Sequence, residues 1–302
     1  MVVKINIKRL ILYSIFVSCI VFALKYWVYY ITGSVALYSD ALESIINILA
    51  SLATLWAIKV SMKPEDQNHP FGHYKAEYFS AILEGVLIIV AAVLILREAW
   101  MALSTVVISQ KPGIWLVIHL AASIINYAWG WILIQQGKIH RSPALKADGV
   151  HFITDFFTSL GILIGLLAAF FGGWAILDPI LAIIVAVNIL FQGGKVIRNA
   201  VQGLMDVGVE LSETIRIRDL ISANAHGALE VHDLRTRVAG RIIFIEFHLV
   251  VPAVMQVGEA HQICNKIEDV LEKEFDNVHI SIHIEPEDEA KLPLGTTAIP
   301  FI

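Results

Sequence analysis

Two stretches decide the fold: Asp40-Ala-Leu-Glu-Ser-Ile-Ile-Asn47 and Asp148-Gly-Val-His-Phe-Ile-Thr-Asp155, each set inside a long apolar run. In both, polar residues recur at offsets of three and seven: Asp40, Glu43 and Asn47 in the first, Asp148, His151 and Asp155 in the second. At the helical period each trio falls on one face. An ionisable group at membrane depth costs at least about 2.5–3.5 kcal/mol, so two matched rows inside apolar helices imply a shared cavity, ion path or metal site. The pattern describes a chain that moves or holds a cation within a bilayer.

Composition agrees. Of 302 residues, 57% are hydrophobic and only 16% charged, with mean hydropathy +0.70, whereas a soluble globule carries about 25% charged residues. Apolar stretches of spanning length occupy residues 9–31, 34–61, 77–103, 113–136, 144–171 and 174–198, which predicts a six-helix membrane bundle over residues 1–208. Residues 209–302 differ, with charged residues among short strand-like runs such as Arg241–Val251 and Val278–Ile284. They read as a soluble domain: helix 210–224, strand 229–238, strand 241–251, helix 257–273 and strand 278–285. That order fits a small α+β sandwich of the ferredoxin-like type.

Lys and Arg set the orientation, because cytoplasmic loops retain them. Lys4, Lys8 and Arg9 precede the first span, Lys63 and Lys75 lie between the second and third, Lys138, Arg141 and Lys146 between the fourth and fifth, and Lys195 and Arg198 close the sixth. The opposite loops offer little beyond Lys111. Both termini are therefore expected in the cytoplasm. The first span is too long for a signal-peptide core and lacks a small-residue cleavage site, so it reads as retained. A net charge of −5 without a basic stripe excludes nucleic acid as a partner. Cys19 and Cys264 are too far separated for a disulfide framework or a thiolate metal cluster.

With this topology the second span runs inward and the fifth outward. Their polar rows are then antiparallel, with Asn47 expected level with the Asp148 end and Glu43 between His151 and Asp155. Glu43, Asn47, His151 and Asp155 offer four N or O donors to one divalent cation, a set that suits tetrahedral zinc and accepts iron, manganese or cobalt. Asp40 and Asp148 would sit about one turn away, orienting the ligands or serving as steps in and out. The alternative for any single residue, Asn47 above all, is an interhelical hydrogen bond. Glu84 and Asn126 read as such packing groups, Lys25 and Arg97 as snorkelling cations, and His119 as a histidine without a nameable partner.

The segment Lys63-Pro-Glu-Asp-Gln-Asn-His-Pro-Phe-Gly-His-Tyr-Lys-Ala-Glu77 joins the second and third spans. Its Asp66, His69 and His73 are spaced so that a turn through Pro70 and Gly72 can converge them on one ion. The tail is rich in histidines: His232, His248, His261, His279 and His283, with Glu285 sharing a strand face with His283.

Several of these motifs together resemble the cation diffusion facilitator family, and within it the bacterial ferrous-iron/zinc efflux transporters, over nearly the full length. The resemblance is carried by Thr32-Gly-Ser-Val35, Asn68-His-Pro-Phe-Gly-His-Tyr-Lys-Ala-Glu77, Ala147-Asp-Gly-Val-His-Phe-Ile-Thr-Asp155, Asp206 and Val231-His-Asp-Leu-Arg-Thr-Arg237. It implies a homodimeric metal/proton antiporter of the bacterial inner membrane, surrounded by lipid, with six spans and a cytoplasmic metallochaperone-like domain. Such a protein is no enzyme and needs no catalytic cofactor; it exports Zn²⁺ or a similar ion (Fe²⁺, Mn²⁺, Co²⁺, Cd²⁺). The transport site would be Glu43, Asn47, His151 and Asp155, and a loop site Asp66, His69 and His73. A binuclear site at the dimer of tails would use His232, His248, His261, His283 and Glu285, and Lys75 and Asp206 would form a charge pair linking protomers.

One departure stands out. The family's second-span pair is usually Asp or His followed four residues later by Asp, whereas this chain has Glu43 and Asn47. A longer carboxylate and a neutral amide shift the expectation towards metals that accept oxygen donors at higher coordination. Two rivals come from other classes. An intramembrane metalloenzyme would need an open coordination position and a general base, and the chain has no His-Glu-x-x-His signature. A metal sensor that binds without transporting is separated from a carrier by flux.

Overall fold

Long apolar runs without internal proline breaks become helices, and in a membrane the helix also satisfies every backbone polar group. The computed structural model describes residues 6–32, 35–103, 113–172, 177–291 and 299–300. The chain divides into two compact units, Met1–Val201 and Gln202–Ile302.

The first unit holds α1 (Ile7–Thr32), α2 (Val35–Ser61), α3 (Ala76–Ala102), α4 (Ile114–Ile139), α5 (Pro143–Gly172) and α6 (Leu177–Leu204). Pro143 opens α5 at a position whose N–H has no intrahelical partner in any case. Five of the helices, α1 to α5, are long and apolar enough to cross a membrane among the described residues. The expected sixth span, 174–198, is helical from Leu177 and begins in residues outside the described ones, as do Lys4, Gly33, Ser34 and Lys111.

Two apolar layers bracket a polar one. Leu10, Ile11, Ile58, Leu133 and Leu145 join α1, α2, α4 and α5 near one end, and Val28, Leu37, Trp115 and Leu163 join the same four helices near the other. Between them lie buried Lys25, Asp40, Asn47, His119, Asn126, Asp148, His151 and Asp155. Glycines let backbones touch. A Cβ on Gly130 of α4 would stand 2.7 Å from the Gly149 carbonyl of α5, and one on Gly149 2.8 Å from the Gly130 carbonyl. Gly85 of α3 and Gly193 of α6 make the same kind of contact, each added Cβ falling 3.1 Å from the other's carbonyl.

The second unit holds α7 (Leu211–Asn224), β1 (Glu230–Ala239), β2 (Ile242–Val251), α8 (Val257–Glu274), β3 (Val278–Pro286) and the two-residue β4 (Ile299–Pro300). The sheet order is β3-β2-β1-β4. β1 and β2 form a hairpin turning at Gly240, whose φ of 57° suits glycine. β2 and β3 are parallel, and α8 supplies the crossover that parallel strands require. Ile243, Ile245, Phe247 and Leu249 alternate along β2 into a core with Ile217, Ile221, Ile267 and Leu271 of the two helices. On the opposite face β2 carries Glu246 and His248 together with the buried Phe244 and Val250.

Candidate metal centres

The polar rows of α2 and α5 each extend one step further than the trios. Ser51 follows Asn47 by four residues and Ser159 follows Asp155 by four, and these hydroxyls set the register. Ser159 Oγ donates to Asp40 Oδ1 at 2.9 Å, Ser51 Oγ donates to Asp148 Oδ1 at 3.2 Å, and Asn47 Nδ2 donates to Asp155 Oδ2. Asn47 is therefore level with Asp155, not with the Asp148 end. The trios alone have equal spacings and fit either register; the end carboxylates finding serines decides between them.

Asn47, His151 and Asp155 are each at most 2% exposed, and Glu43 is half-buried. One atom of each side chain is buried without a hydrogen-bond partner: Glu43 Oε1, Asn47 Oδ1, His151 Nδ1 and Asp155 Oδ1. His151 Nε2 stands 3.9 Å from Asp155 Oδ1, too long for a hydrogen bond. Each such orphan costs about 1–3 kcal/mol, so four together mark a donor set arranged for something other than bundle stability. Among the described residues, three of its His, Asp or Glu ligand atoms are not drawn within the 4.8 Å that unites the two clusters below.

Asp40 is engaged through one oxygen, while its Oδ2 makes no hydrogen bond. Its Oδ1 accepts from Lys25 Nζ at 3.0 Å, and its Oδ2 lies 3.7 Å from His119 Nδ1. His119 Nε2 is 3.2 Å from the Ser159 carbonyl. Lys25 therefore does not snorkel: it is 1% exposed and neutralises the first acid of the α2 row, with His119 beside it. Arg97 is exposed, as a snorkelling cation would be. Asn126 is buried with neither side-chain atom hydrogen-bonded, so the interhelical bond expected of it is not made among the described residues.

In the loop, the Asp66, His69 and His73 ligand atoms lie within 4.8 Å of one another. Gly72 turns the chain with φ 77°. Asp66 Oδ1 accepts from the backbone N–H of His69 at 2.8 Å and of Asn68 at 2.9 Å, and those bonds, His69's first, hold its carboxyl below the ordinary range. His69 Nδ1 is 3.2 Å from Oδ1 and His73 Nε2 3.4 Å from Oδ2.

In the tail, strand register does the gathering. His232 pairs with His248 across β1 and β2, and His248 with His283 across β2 and β3. Glu285 Oε1 is 2.7 Å from His248 Nδ1 and 3.7 Å from His283 Nε2, while its Oε2 is 3.1 Å from His232 Nε2. Two residues that sequence reading missed belong here. Glu230 Oε1 is 3.1 Å from His232 Nδ1, and Asp233 joins His232 and His248 within 4.8 Å. Asp233 has φ 51° beside an irregularity in the β1–β2 pairing, which re-aims it off the strand's alternation. Lys291 Nζ, 2.6 Å from Asp233 Oδ2, holds that carboxyl below its ordinary range. His261 is exposed on α8, away from this cluster, and His279 stacks near Phe244. Asp206 lies 3.4 Å from Arg237, and Lys75 sits at the start of α3.

Residues 11–205 match the family described as "Cation efflux transmembrane domain", and residues 211–287 that described as "Cation efflux protein, cytoplasmic domain". The uncharacterized transporter sll1263 of Synechocystis sp. is 36% identical over 268 residues, covering 89% of this chain and 86% of its own length. The cation-efflux pump FieF of Yersinia pestis is 29% identical over 284 residues, covering 93% of each. A solved structure of the proposed zinc transporter CzrB in its Zn form is 45% identical, covers 29% of this chain and 99% of that chain, and has a TM-score of 0.28.

Proposed function

Because this chain belongs to the cation efflux family, we propose that it exports a divalent metal ion from the cytoplasm in exchange for protons. The observation that carries the reading is the set of four buried, unpartnered donors on Glu43, Asn47, His151 and Asp155. Metal and protons compete for the same lone pairs on the imidazole and carboxylates, so release of one is linked to uptake of the other. Helices rocking about a site in mid-membrane turn that competition into exchange across the bilayer. Three oxygen donors and one imidazole accept Mn²⁺ and Fe²⁺ as well as Zn²⁺.

In this reading α6 is the sixth span, both termini are cytoplasmic, the protein lies in a bacterial inner membrane, and the tail is a ferredoxin-like dimerisation module. Its histidine cluster and the loop triad would bind the ion outside the bilayer as regulatory stations. His261, exposed on α8, is available to a second copy rather than to its own cluster. Lys75 and Asp206 would pair between copies.

The test is flux in proteoliposomes carrying a proton gradient, with Zn²⁺, Fe²⁺ or Mn²⁺ supplied. Accumulation that collapses when the gradient is discharged supports the antiporter. Binding without flux would instead make the chain a sensor. Asp155→Ala removes one of two charged ligands and should abolish flux while the protein still inserts, and near-normal flux in that variant sinks the site as drawn.

A further inference from the structure

The polar face of α2 does not stop at Ser51. Thr54 and Ser61 continue it, and they meet buried carboxylates from α3. Ser61 Oγ donates to Glu77 Oε1 at 2.9 Å and Ser142 Oγ donates to Glu77 Oε2, so Glu77 is satisfied at both oxygens. Glu84 is not. Thr54 donates to its Oε1, with Ser80 Oγ 3.3 Å from the same atom, yet Oε2 has no partner in a residue that is 0% exposed. Asp148, 1% exposed, repeats the pattern: Ser51 donates to Oδ1, Ser14 of α1 stands beside the carboxyl, and Oδ2 makes no hydrogen bond.

Ser51 and Thr54 are three residues apart, neighbours on one helix face, so the acids they hold lie about one turn apart where α2, α3 and α5 meet. Among the described residues neither acid forms an ion pair with a Lys, Arg or His, the nearest on the same helix face being His151, one turn from Asp148 on α5. Asp40, by contrast, is given Lys25. The fold thus neutralises one buried acid of the α2 face with its own cation and leaves two adjacent acids without one.

We propose that Glu84 and Asp148, with the hydroxyls of Ser51, Thr54 and Ser80 around them, form a second intramembrane binding site for a divalent metal cation. Its donors are all oxygen, which favours Mn²⁺ or Fe²⁺ over Zn²⁺. It lies one to two turns of α2 from Asn47, on the side of the α2 C-terminus, so an ion can rest there before or after the four-residue site. The inference rests on the reading of the chain as a carrier of divalent cations.

The competing explanation is packing, with a neutral carboxyl at Glu84 gluing α2 to α3. Glu84→Gln separates the two, because the amide oxygen still accepts from Thr54 and Ser80 while the charge is gone. The experiment is equilibrium dialysis of full-length protein in detergent against Mn²⁺, comparing wild type, Glu84→Gln, Glu84→Asp and Asp155→Asn. Glu84→Gln should lose about one equivalent of bound Mn²⁺ per chain, with Glu84→Asp regaining it, and Asp155→Asn should lose a different equivalent. Wild-type stoichiometry in Glu84→Gln overturns the proposal. If Asp155→Asn loses nothing while Glu84→Gln does, the Glu84 site stands and the four-residue site falls.

Discussion

Lys25 and Asp40 form a buried ion pair, and breaking it from one side should be costly while removing it whole should not. At an effective dielectric of about 20, two charges at their separation of 3.0 Å attract by about 5 kcal/mol, most of it offset by the loss of hydration on burial. Replacing Lys25 with Met strands the Asp40 carboxyl among apolar helices, a loss of about 3–5 kcal/mol for a buried pair broken from one side. His119 Nδ1, 3.7 Å away and otherwise unpartnered, supplies some compensation, which puts the expected cost near the lower figure. Lys25→Met with Asp40→Asn removes both charges and keeps an acceptor for Ser159, so that variant should fall within about 1 kcal/mol of wild type. Chemical unfolding in micelles makes the comparison, with Lys25→Met expected to be about 2–3 kcal/mol less stable than the double variant. Proteoliposome flux should survive in the double variant, because Asp40 is paired with Lys25. A single variant no worse than the double refutes the ion-pair argument; a folded double variant without flux returns Asp40 to the ion path.

Asn47→Leu should cripple metal binding by deleting a donor at a desolvated site, whereas Asn47→Asp should tighten it and slow release; Glu43→Asp with Asn47→Asp should raise zinc uptake relative to manganese, and an unchanged ratio with Asn47→Leu still active reduces Asn47 to packing. Replacing His232 or His283 with Ala should alter metal dependence or dimer stability and leave residual flux, so complete loss with dimers intact contradicts a peripheral role. The bonds from His69 depress the Asp66 carboxyl in the folded loop, so their stabilisation is present above the unfolded aspartate value of about 4 and fades only as pH falls through the lower folded one. Amide exchange of Asn68 and His69 should stay slow down to about pH 4; fast exchange at neutral pH would show that the turn is not held this way.

Helices and strands were legible because they rest on periodicity. The tail's helices and its three long strands match the expected bounds to within two residues. The two polar rows of α2 and α5 were legible for the same reason. Their register was not, since equal spacings in both helices fit more than one alignment until Ser51 and Ser159 are counted in. Lys25 and His119 lacked visible partners because their shared partner, Asp40, is on a different helix, and helix-to-helix contacts leave no local mark. Glu230 and Asp233 were missed because a pairing irregularity breaks the alternation by which strand neighbours are read.

The glycine contacts also say where the bundle can come apart. Gly130 against Gly149 brings two backbones together with no side chain to yield between them, so α4 and α5 behave as one stiff plank, and Gly85 with Gly193 joins α3 to α6 in the same manner. His151 lies two residues from that seam and travels with α4. Glu43 and Asn47 ride on α2, which is tied to α5 at the site by the Asn47 amide and the two serine hydroxyls. Parting α2 from α5 there would break those three bonds and separate the donors of the proposed metal site in a single movement.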